Sequence, residues 1–155
     1  MKKLLLALLA LPILASFASC SSDDDMPQVN IDLTYGNASV IDGQVYVVQP
    51  DTFRILSVAV TPVREGHKAT NGPVSYFMNG VPVGTSPVAP FGVNILTSDL
   101  KPGAYAVQMF MPVYEEGCEL ANAVAQIQLN VLADSTQLPS AAVPSVTQRV
   151  EYSFE

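Results

Sequence analysis

The fold is decided by the sequence VSYFMNGVPV (residues 74–83), in which two short apolar runs flank the pair Asn79-Gly80. In a two-residue hairpin loop both turn residues take positive φ, and asparagine followed by glycine accepts that conformation at little cost. The stretch therefore predicts a β-hairpin. Asp42-Gly43 lies between the apolar residues 40–41 and 45–48 and predicts a second hairpin for the same reason.

Apolar and polar residues alternate along much of the chain, as in strands that bury one face. Residues 29–35 and 123–131 show this alternation most clearly, whereas residues 52–63 are apolar on both faces and predict a central strand. Residues 64–73 and 114–120 are polar and lack periodicity, so they predict loops. Further strands are predicted at residues 91–96 and 105–113, with a link at residues 85–90.

These elements together predict an all-β fold, because no segment after the leader combines a helical apolar stripe with helix caps. About seven to nine short antiparallel strands over roughly a hundred residues favour a β-sandwich over a barrel. A chain of this length supports one domain with its own core, which we place at residues 28–133.

Three features carry a resemblance to a known family: the hairpin of residues 76–86, the pair Pro90-Phe91, and the corner at residues 100–105. They resemble the bacterial immunoglobulin-like domains of modular surface proteins, although that family usually has aspartate where this chain has Asn79. The resemblance implies an immunoglobulin-like β-sandwich. It also implies that Tyr105 is the tyrosine of a tyrosine corner, whose hydroxyl bonds to backbone a few residues upstream.

Residues 1–19 have the order of a secretory signal: two lysines, an apolar run at residues 4–15, and small residues before Cys20. The apolar run is shorter than the roughly 18 residues that a membrane-spanning helix needs, and Pro12 interrupts it. We therefore expect a removable signal peptide rather than a retained transmembrane anchor.

The end of this signal, Phe17-Ala18-Ser19-Cys20, resembles the lipobox of bacterial lipoproteins, with phenylalanine in place of the usual leucine. The resemblance implies that Cys20 is acylated, becomes the mature N-terminus and binds outer-membrane lipid. Two or three acyl chains hold a protein far more firmly than a single, reversible one. The alternative is an ordinary secreted protein whose cysteine stands there by chance.

Residues 20–27 form an acidic stretch that is too polar to fold and predicts a solvated tether. Its residues Ser22, Asp23, Asp24 and Asp25 resemble the surface-export signal of Bacteroidetes-type lipoproteins, which implies a location on the outer face of the outer membrane. A plain spacer facing the periplasm is the alternative.

The chain is acidic, with seven basic residues against fourteen acidic ones and a net charge of −7, and the predicted signal removes two of the basic residues. No basic stretch offsets this charge, so nucleic acid and anionic headgroups are poor partners. With Cys20 lipidated, Cys118 has no partner for a disulfide and is predicted to be a buried small side chain or a free thiol.

No constellation for catalysis, metal binding or a cofactor emerges from the sequence. His67 stands alone in a predicted loop and is expected to be solvated. Carboxylates next to Cys118 disfavour a catalytic thiolate. A calcium ion could bind the acidic side chains of Glu115, Glu116 and Glu119. They lack the ligand spacing of a calcium-binding loop, however, so they predict a solvated loop instead.

Five aromatic side chains have two possible roles. A sandwich of this size needs large apolar residues in its core, and we expect most of the five to be there. If several were exposed together, they would form a sugar-stacking or protein-binding face. The five are Tyr35, Tyr46, Phe53, Phe110 and Tyr114.

The C-terminal residues 146–154 alternate as a strand does, and a loose proline-containing linker at residues 134–144 precedes them. This strand is predicted to pair at an edge of its own domain. The alternative is that it pairs with a neighbouring protein by strand addition.

The sequence therefore predicts a non-enzymatic cell-surface lipoprotein module for adhesion, scaffolding or protein-ligand binding. The first alternative, a glycan-binding accessory lipoprotein of a nutrient-uptake system, requires two or more coplanar exposed aromatic rings. A hydrolase is the least favoured class, and it requires an apolar cleft that joins His67 to several carboxylates.

Overall fold

The structure, a computed structural model, describes residues 26–140, 143–144 and 146–155. The predicted signal peptide, Cys20 and the acidic run Ser22 to Asp25 lie outside the described residues. Within the described part of the chain, no helix has the length and apolar character needed to cross a membrane.

The described residues form thirteen strands and one short 3-10 helix, Ser135–Gln137. The strands are β1 (Val29–Gly36), β2 (Ser39–Ile41), β3 (Gln44–Val48), β4 (Thr52–Pro62), β5 (Ala69–Asn71), β6 (Val74–Met78), β7 (Val81–Ser86), β8 (Val93–Leu96), β9 (Gly103–Glu115), β10 (Ala121–Leu132), β11 (Val143–Pro144), β12 (Thr147–Val150) and β13 (Tyr152–Phe154).

Two sheets pack face to face. The smaller sheet has the strand order β12-β1-β4-β8. The larger sheet has the order β11-β2-β3-β10-β9-β6-β7, with β13 paired to β10 and β5 paired to β9. The predicted all-β sandwich is confirmed, and the placing of β1-β4-β8 opposite β6-β9-β10 is consistent with the immunoglobulin-like type.

Both predicted hairpins are present, with the backbone conformation that their turn residues require. Asp42 and Gly43 have φ of 48° and 76°, and Asn79 and Gly80 have φ of 49° and 79°. Residues in this left-handed region match the right-handed twist of the flanking strands. The side chain of Asn79 adds a contact, since its Oδ1 accepts a hydrogen bond from the backbone N–H of Ala106 at 2.8 Å.

The core lies between the sheets and is built from alternate positions of the long strands. Tyr35 and Phe53 of the smaller sheet are fully buried, with ring centroids 5.8 Å apart. Tyr76 and Met109 of the larger sheet are also fully buried. The prediction that Tyr35 and Phe53 belong to the core is confirmed.

One strand pair departs from the antiparallel prediction, because β3 and β10 run parallel. The chain leaves the smaller sheet after β1 and crosses to the larger sheet in the β2-β3 hairpin. There β3 lies along β10, with Gln44 opposite Gln128 and Val48 opposite Leu132. Local sequence patterns cannot reveal this pairing, because they contain no information about strand direction.

Several predicted boundaries shift. The predicted loop at residues 64–73 contains β5, and the predicted link at residues 85–90 begins inside β7. The stretch 52–63 is not apolar on two buried faces, because Leu56 is 45% exposed on the outer side of β4. The predicted acidic loop begins too early, because β9 continues through Glu115 and buries it.

The C-terminal segment pairs within its own domain, as predicted. The strand β12 pairs with the edge of β1, and β13 pairs with β10 in the other sheet. Val150 is buried in the core between these two pairings. The preceding linker is less loose than predicted, because it contains the 3-10 helix, capped by Asp134, and β11, which pairs with β2.

Candidate functional site

The outer surface of the larger sheet is the strongest candidate site. Strands β3, β10, β9 and β6 are neighbours, and alternate residues of β10 and β9 are buried while those between them face outward. We call this surface the amide–aromatic face. It is defined by the residues Gln44, Tyr46, Gln108, Gln126, Gln128, Asn130, Phe77 and Phe110, and the hydroxyl of Tyr46 donates to Oε1 of Gln44 at 3.2 Å.

The amide side chains of the face form an amide row across three strands, made of two hydrogen-bonded groups. Gln108 donates to Gln126 at 3.2 Å, which links β9 to β10. Gln128 donates to Oε1 of Gln44 at 3.3 Å, and Asn130 donates to the same oxygen at 3.2 Å, which links β10 to β3. The strands set this alignment, because the parallel register places Gln44 directly opposite Gln128.

An aromatic pair adjoins the amide row. Phe77 on β6 and Phe110 on β9 have ring centroids 5.2 Å apart and planes at 76° to each other, an edge-to-face contact. Both rings are half-buried. With Ser75, Gly80 and Gln108 they line a depression of about 410 Å³.

The face is uncharged. Among the described strands of the larger sheet, the only charged residue is Glu115, whose side chain is fully buried. Charged residues stand instead on the smaller sheet, as Asp32, Arg54 and Arg149, and in loops. Charged residues nevertheless border the face: Arg149 and Glu151 line a depression with Gln126, and Glu155 lines one with Phe110.

The aromatic side chains considered from the sequence are divided by the structure. Tyr35 and Phe53 are in the core, Tyr46 is half-buried, and Tyr114 is 46% exposed. Phe110 lies on the face, but its partner Phe77 is nearly perpendicular to it. This pair therefore does not provide the coplanar rings that a flat sugar-stacking platform requires.

A second polar group of residues surrounds the buried carboxylate of Glu115. Its Oε2 accepts a hydrogen bond from the backbone N–H of Gln28 at 2.5 Å and lies 3.8 Å from Nη1 of Arg64. Its Oε1 lies 3.4 Å from Nδ1 of His67 and has no hydrogen-bond partner among the described residues. Glu115 was predicted to lie in a solvated turn, and its burial with a cation corrects that prediction.

His67 is not the solvated, isolated residue that the sequence indicated. Besides its proximity to Glu115, its Nδ1 lies 3.0 Å from the carbonyl oxygen of Glu116. Both neighbours are acceptors, so Nδ1 carries the proton and donates it to that carbonyl. The sequence could not reveal this contact, because 48 residues separate His67 from the turn that supplies it.

Cys118 is partly exposed rather than buried in the apolar core. Its Sγ accepts from Nη1 of Arg64 at 2.8 Å and donates to Oε2 of Glu115 at 3.5 Å. A cysteine hydrolase needs a thiol that gives its proton to a histidine. Here the thiol faces a carboxylate, so the arrangement matches a structural contact better than a nucleophile and its base.

The polar group also fastens the beginning of the domain. Gln28 donates to Glu115, and its own carbonyl accepts from the backbone N–H of Val63 at 2.8 Å. Arg64 reaches the carbonyl of Met26 at 3.5 Å. These contacts hold residues 26–28 against the loop between β4 and β5. Met26 and Pro27 were predicted to belong to the solvated tether of residues 20–27, and the burial of Pro27 against the domain corrects that boundary.

Tyr105 lies near the start of β9, and its hydroxyl donates to the carbonyl of Lys101 at 2.8 Å. The bond runs to backbone four residues upstream, which is the geometry that the resemblance implied. The ring packs against the core. Tyr105 therefore has a structural contact and is not part of the amide–aromatic face.

No described group of three or more His, Cys, Asp and Glu side chains is arranged to hold a metal ion. The carboxylates Glu115, Glu116 and Glu119 are accordingly separated: Glu115 is buried, while the other two are exposed.

Phe77 and the glutamines of the face were not predicted from the sequence. A usable signal was present, because the chain contains no charged residue between Lys68 and Asp99 and none within the outward positions of β10. Comparison with family models, curated proteins and solved structures finds no match to this chain.

Proposed function

We propose that the chain is a non-enzymatic, lipid-tethered binding module of the bacterial cell surface, and that the amide–aromatic face is its ligand-binding surface. The observation that carries this proposal is the uncharged outer side of the larger sheet, with its amide row and adjoining phenylalanine pair. Adhesion, scaffolding and ligand capture all use such a surface.

The absence of charge on the exposed strands supports a binding role because solvated surfaces normally mix charges of both signs. Half-buried phenylalanine rings on an outer sheet face leave apolar area in contact with water. A ligand that covers this area removes it from water and meets unsatisfied amide groups at the same time.

The proposed anchoring follows from the lipobox resemblance at Cys20 and the acidic run Ser22, Asp23, Asp24 and Asp25. Residues 26–28 are held beside Glu115 and Arg64, so the part of the proposed tether that is free of the domain ends before Met26.

The anchoring is tested by labelling cells with a radioactive fatty acid and by adding protease to intact cells. We expect label on the wild-type chain, none on a Cys20→Ala variant, and cleavage of the wild-type chain from outside. An unlabelled wild-type chain would disprove the lipid anchor, and protection from external protease would favour the periplasmic alternative.

The binding role is tested by crosslinking intact cells and comparing partners of the wild type with those of a Phe110→Ala variant. Leu56→Ala is the matched control, because Leu56 is 45% exposed on the outer face of the smaller sheet. We expect loss of partners from the first variant alone. Identical crosslinks in all three proteins would remove the face from the proposal.

A glycan is the second candidate ligand. The coplanar rings expected for it are not formed by Phe77 and Phe110, whose planes stand at 76°, and the amide row is the observation that favours it instead. The hydrolase alternative lacks comparable support. His67 contacts one buried carboxylate, and it is not among the residues that line the nearby depression of about 280 Å³.

A further inference from the structure

We infer that the ligand of the amide–aromatic face is an uncharged polysaccharide chain that lies across strands β3, β10, β9 and β6. This inference rests on the proposed binding function of the face and specifies its ligand class. Three properties of the face support it: the hydrogen-bonding capacity of its amides, the corner between its two rings, and its lack of charge.

The first property is the capacity that the amide row retains. A primary amide has two N–H donors and an oxygen with two lone pairs. Gln126 accepts one bond, from Gln108, and Gln128 uses its amide nitrogen in bonds to Gln44 and Asn130. Among the described residues, the oxygen of Gln128 and the amide nitrogen of Gln126 have no side-chain partner and can bind a ligand. A hydroxyl group both donates and accepts, so sugar hydroxyls match such a row.

The second property is the shape of the aromatic corner. Because the planes of Phe77 and Phe110 stand at 76°, the rings form two walls of the depression instead of a flat platform. The apolar C–H side of a sugar ring can pack against one wall, while Ser75 and Gln108 supply polar atoms in the same depression. This corresponds to a single sugar unit held at the end of the amide row.

The third property is the charge pattern. The strands of the larger sheet present no exposed charge. Of the charged residues that border the face, Arg149 is paired with Asp32, and Glu151 and Glu155 are acidic, so the carboxylates or sulfates of an acidic polysaccharide are disfavoured there. The negative net charge of the chain repels polyanions in addition. A protein partner would more typically meet tryptophan, tyrosine or arginine at the centre of the interface. The centre of this face has glutamines, and Tyr46 lies at its β3 side, where its hydroxyl is bonded to Gln44.

The width of the face indicates a chain rather than a single sugar. Four adjacent strands span about 14 Å between the first and the last, at roughly 4.8 Å for each step. The amide side chains begin at Gln44 on β3, and the aromatic corner ends at Phe77 on β6. A ligand that contacts both Gln44 and Phe77 must therefore extend over several sugar units.

The test uses the mature protein in native gels that contain one polysaccharide each. The neutral panel comprises amylopectin, dextran, mannan, xylan and galactomannan, and the acidic panel comprises pectin and alginate. We expect at least one neutral polysaccharide to retard the wild type and the acidic ones to leave it unretarded. Retardation by no neutral polysaccharide, or equal retardation by the acidic ones, would overturn the inference.

Variants then locate the binding surface. We expect Phe110→Ala and, separately, Gln126→Ala to weaken the retarding interaction by about ten-fold or more. Gln126 is exposed, so its substitution leaves the core intact and keeps the test valid if Phe110→Ala fails to fold. Leu56→Ala should bind as the wild type does. Unchanged binding by Gln126→Ala and a folded Phe110→Ala would overturn the assignment.

The crosslinking experiment separates the two levels of the argument. If no neutral polysaccharide binds but Phe110→Ala still loses a protein crosslink, the ligand class is wrong and the binding function stands. If neither polysaccharide nor crosslinked partner depends on the face, both fail.

Discussion

The buried carboxylate of Glu115 provides the sharpest test of how this domain is held together. Its side chain is fully buried at the end of β9, where it accepts the Gln28 N–H and lies near the guanidinium of Arg64. Replacing it with alanine removes both interactions and leaves the Gln28 N–H without its acceptor. We therefore expect Glu115→Ala to destabilise the domain strongly.

The magnitude follows from the two losses. An orphaned buried N–H costs about 1–3 kcal/mol. Breaking a fully buried ion pair costs about 3–5 kcal/mol, but Arg64 is 23% exposed and water screens it, so we take a smaller share of about 1–2 kcal/mol. The expected loss in the free energy of unfolding is about 3 kcal/mol.

Two further variants separate charge from hydrogen bonding. Glu115→Gln keeps an acceptor for the Gln28 N–H but loses the negative charge beside Arg64. It should therefore lower the free energy of unfolding by about 1–2 kcal/mol. Glu119→Ala is the matched control, because Glu119 is an exposed carboxylate on the same turn, and it should lie within about 0.5 kcal/mol of the wild type.

The measurement is urea unfolding of the unlipidated mature chain, carrying Cys20→Ala, followed by circular dichroism. The slope of the unfolding free energy against urea should stay constant across the series, which would show that stability alone has changed. If Glu115→Ala proved as stable as Glu119→Ala, the conclusion that buried Glu115 holds residues 26–28 against the domain would be refuted.

Three further outcomes are expected from backbone geometry and ionisation. Gly92→Ala should lower the free energy of unfolding by about 3 kcal/mol or more, because its new Cβ would lie 2.6 Å from the carbonyl oxygen of Ile55. A variant with the thermal stability of the wild type would contradict this. Gly80→Ala should lower the free energy of unfolding by only about 1 kcal/mol, because a Cβ there meets no atom beyond the adjacent residues within 4 Å and only the φ of +79° is unfavourable. A loss of stability as large as that of Gly92→Ala would contradict this expectation. Burial raises the pKa of the Tyr35 hydroxyl in the folded state above its value of about 10 in the unfolded chain. Above pH 10 the unfolded chain therefore loses this proton more readily than the folded protein, so the stability that Tyr35 contributes is complete below pH 10 and is lost as the pH rises further. We therefore expect the free energy of unfolding, measured in urea at several pH values above 10, to fall less steeply with pH for Tyr35→Phe than for the wild type. The two slopes should differ by about 1.4 kcal/mol per pH unit, and equal slopes would disprove the effect.

Much of the secondary structure could be predicted because it depends on interactions between residues close in sequence. Asn79-Gly80 and Asp42-Gly43 specify their turns through their own φ preferences, and both turns occur. Residues 29–35 and 123–131 alternate because each strand buries one face, and both are strands with alternating burial. Strand ends were less well predicted, since pairing with a neighbour can extend a strand through polar residues, as β9 extends to Glu115.

The contacts of single polar residues could not be predicted for a related reason. Whether a carboxylate is solvated depends on what packs over it, and Glu115 is covered by Gln28, Arg64 and His67 from distant parts of the chain. The parallel pairing of β3 with β10 is likewise a relation between segments more than eighty residues apart.

The sequence by itself determined the hairpins, the alternation of buried and exposed positions, and the lack of charge in the segments that form the larger sheet. Only the tertiary structure decided that Gln44, Gln108, Gln126 and Gln128 lie side by side and that Phe77 meets Phe110. The physical reason is that side-chain periodicity selects the face on which a residue lies, whereas strand order and register, which arise from long-range pairing, select its neighbours on that face.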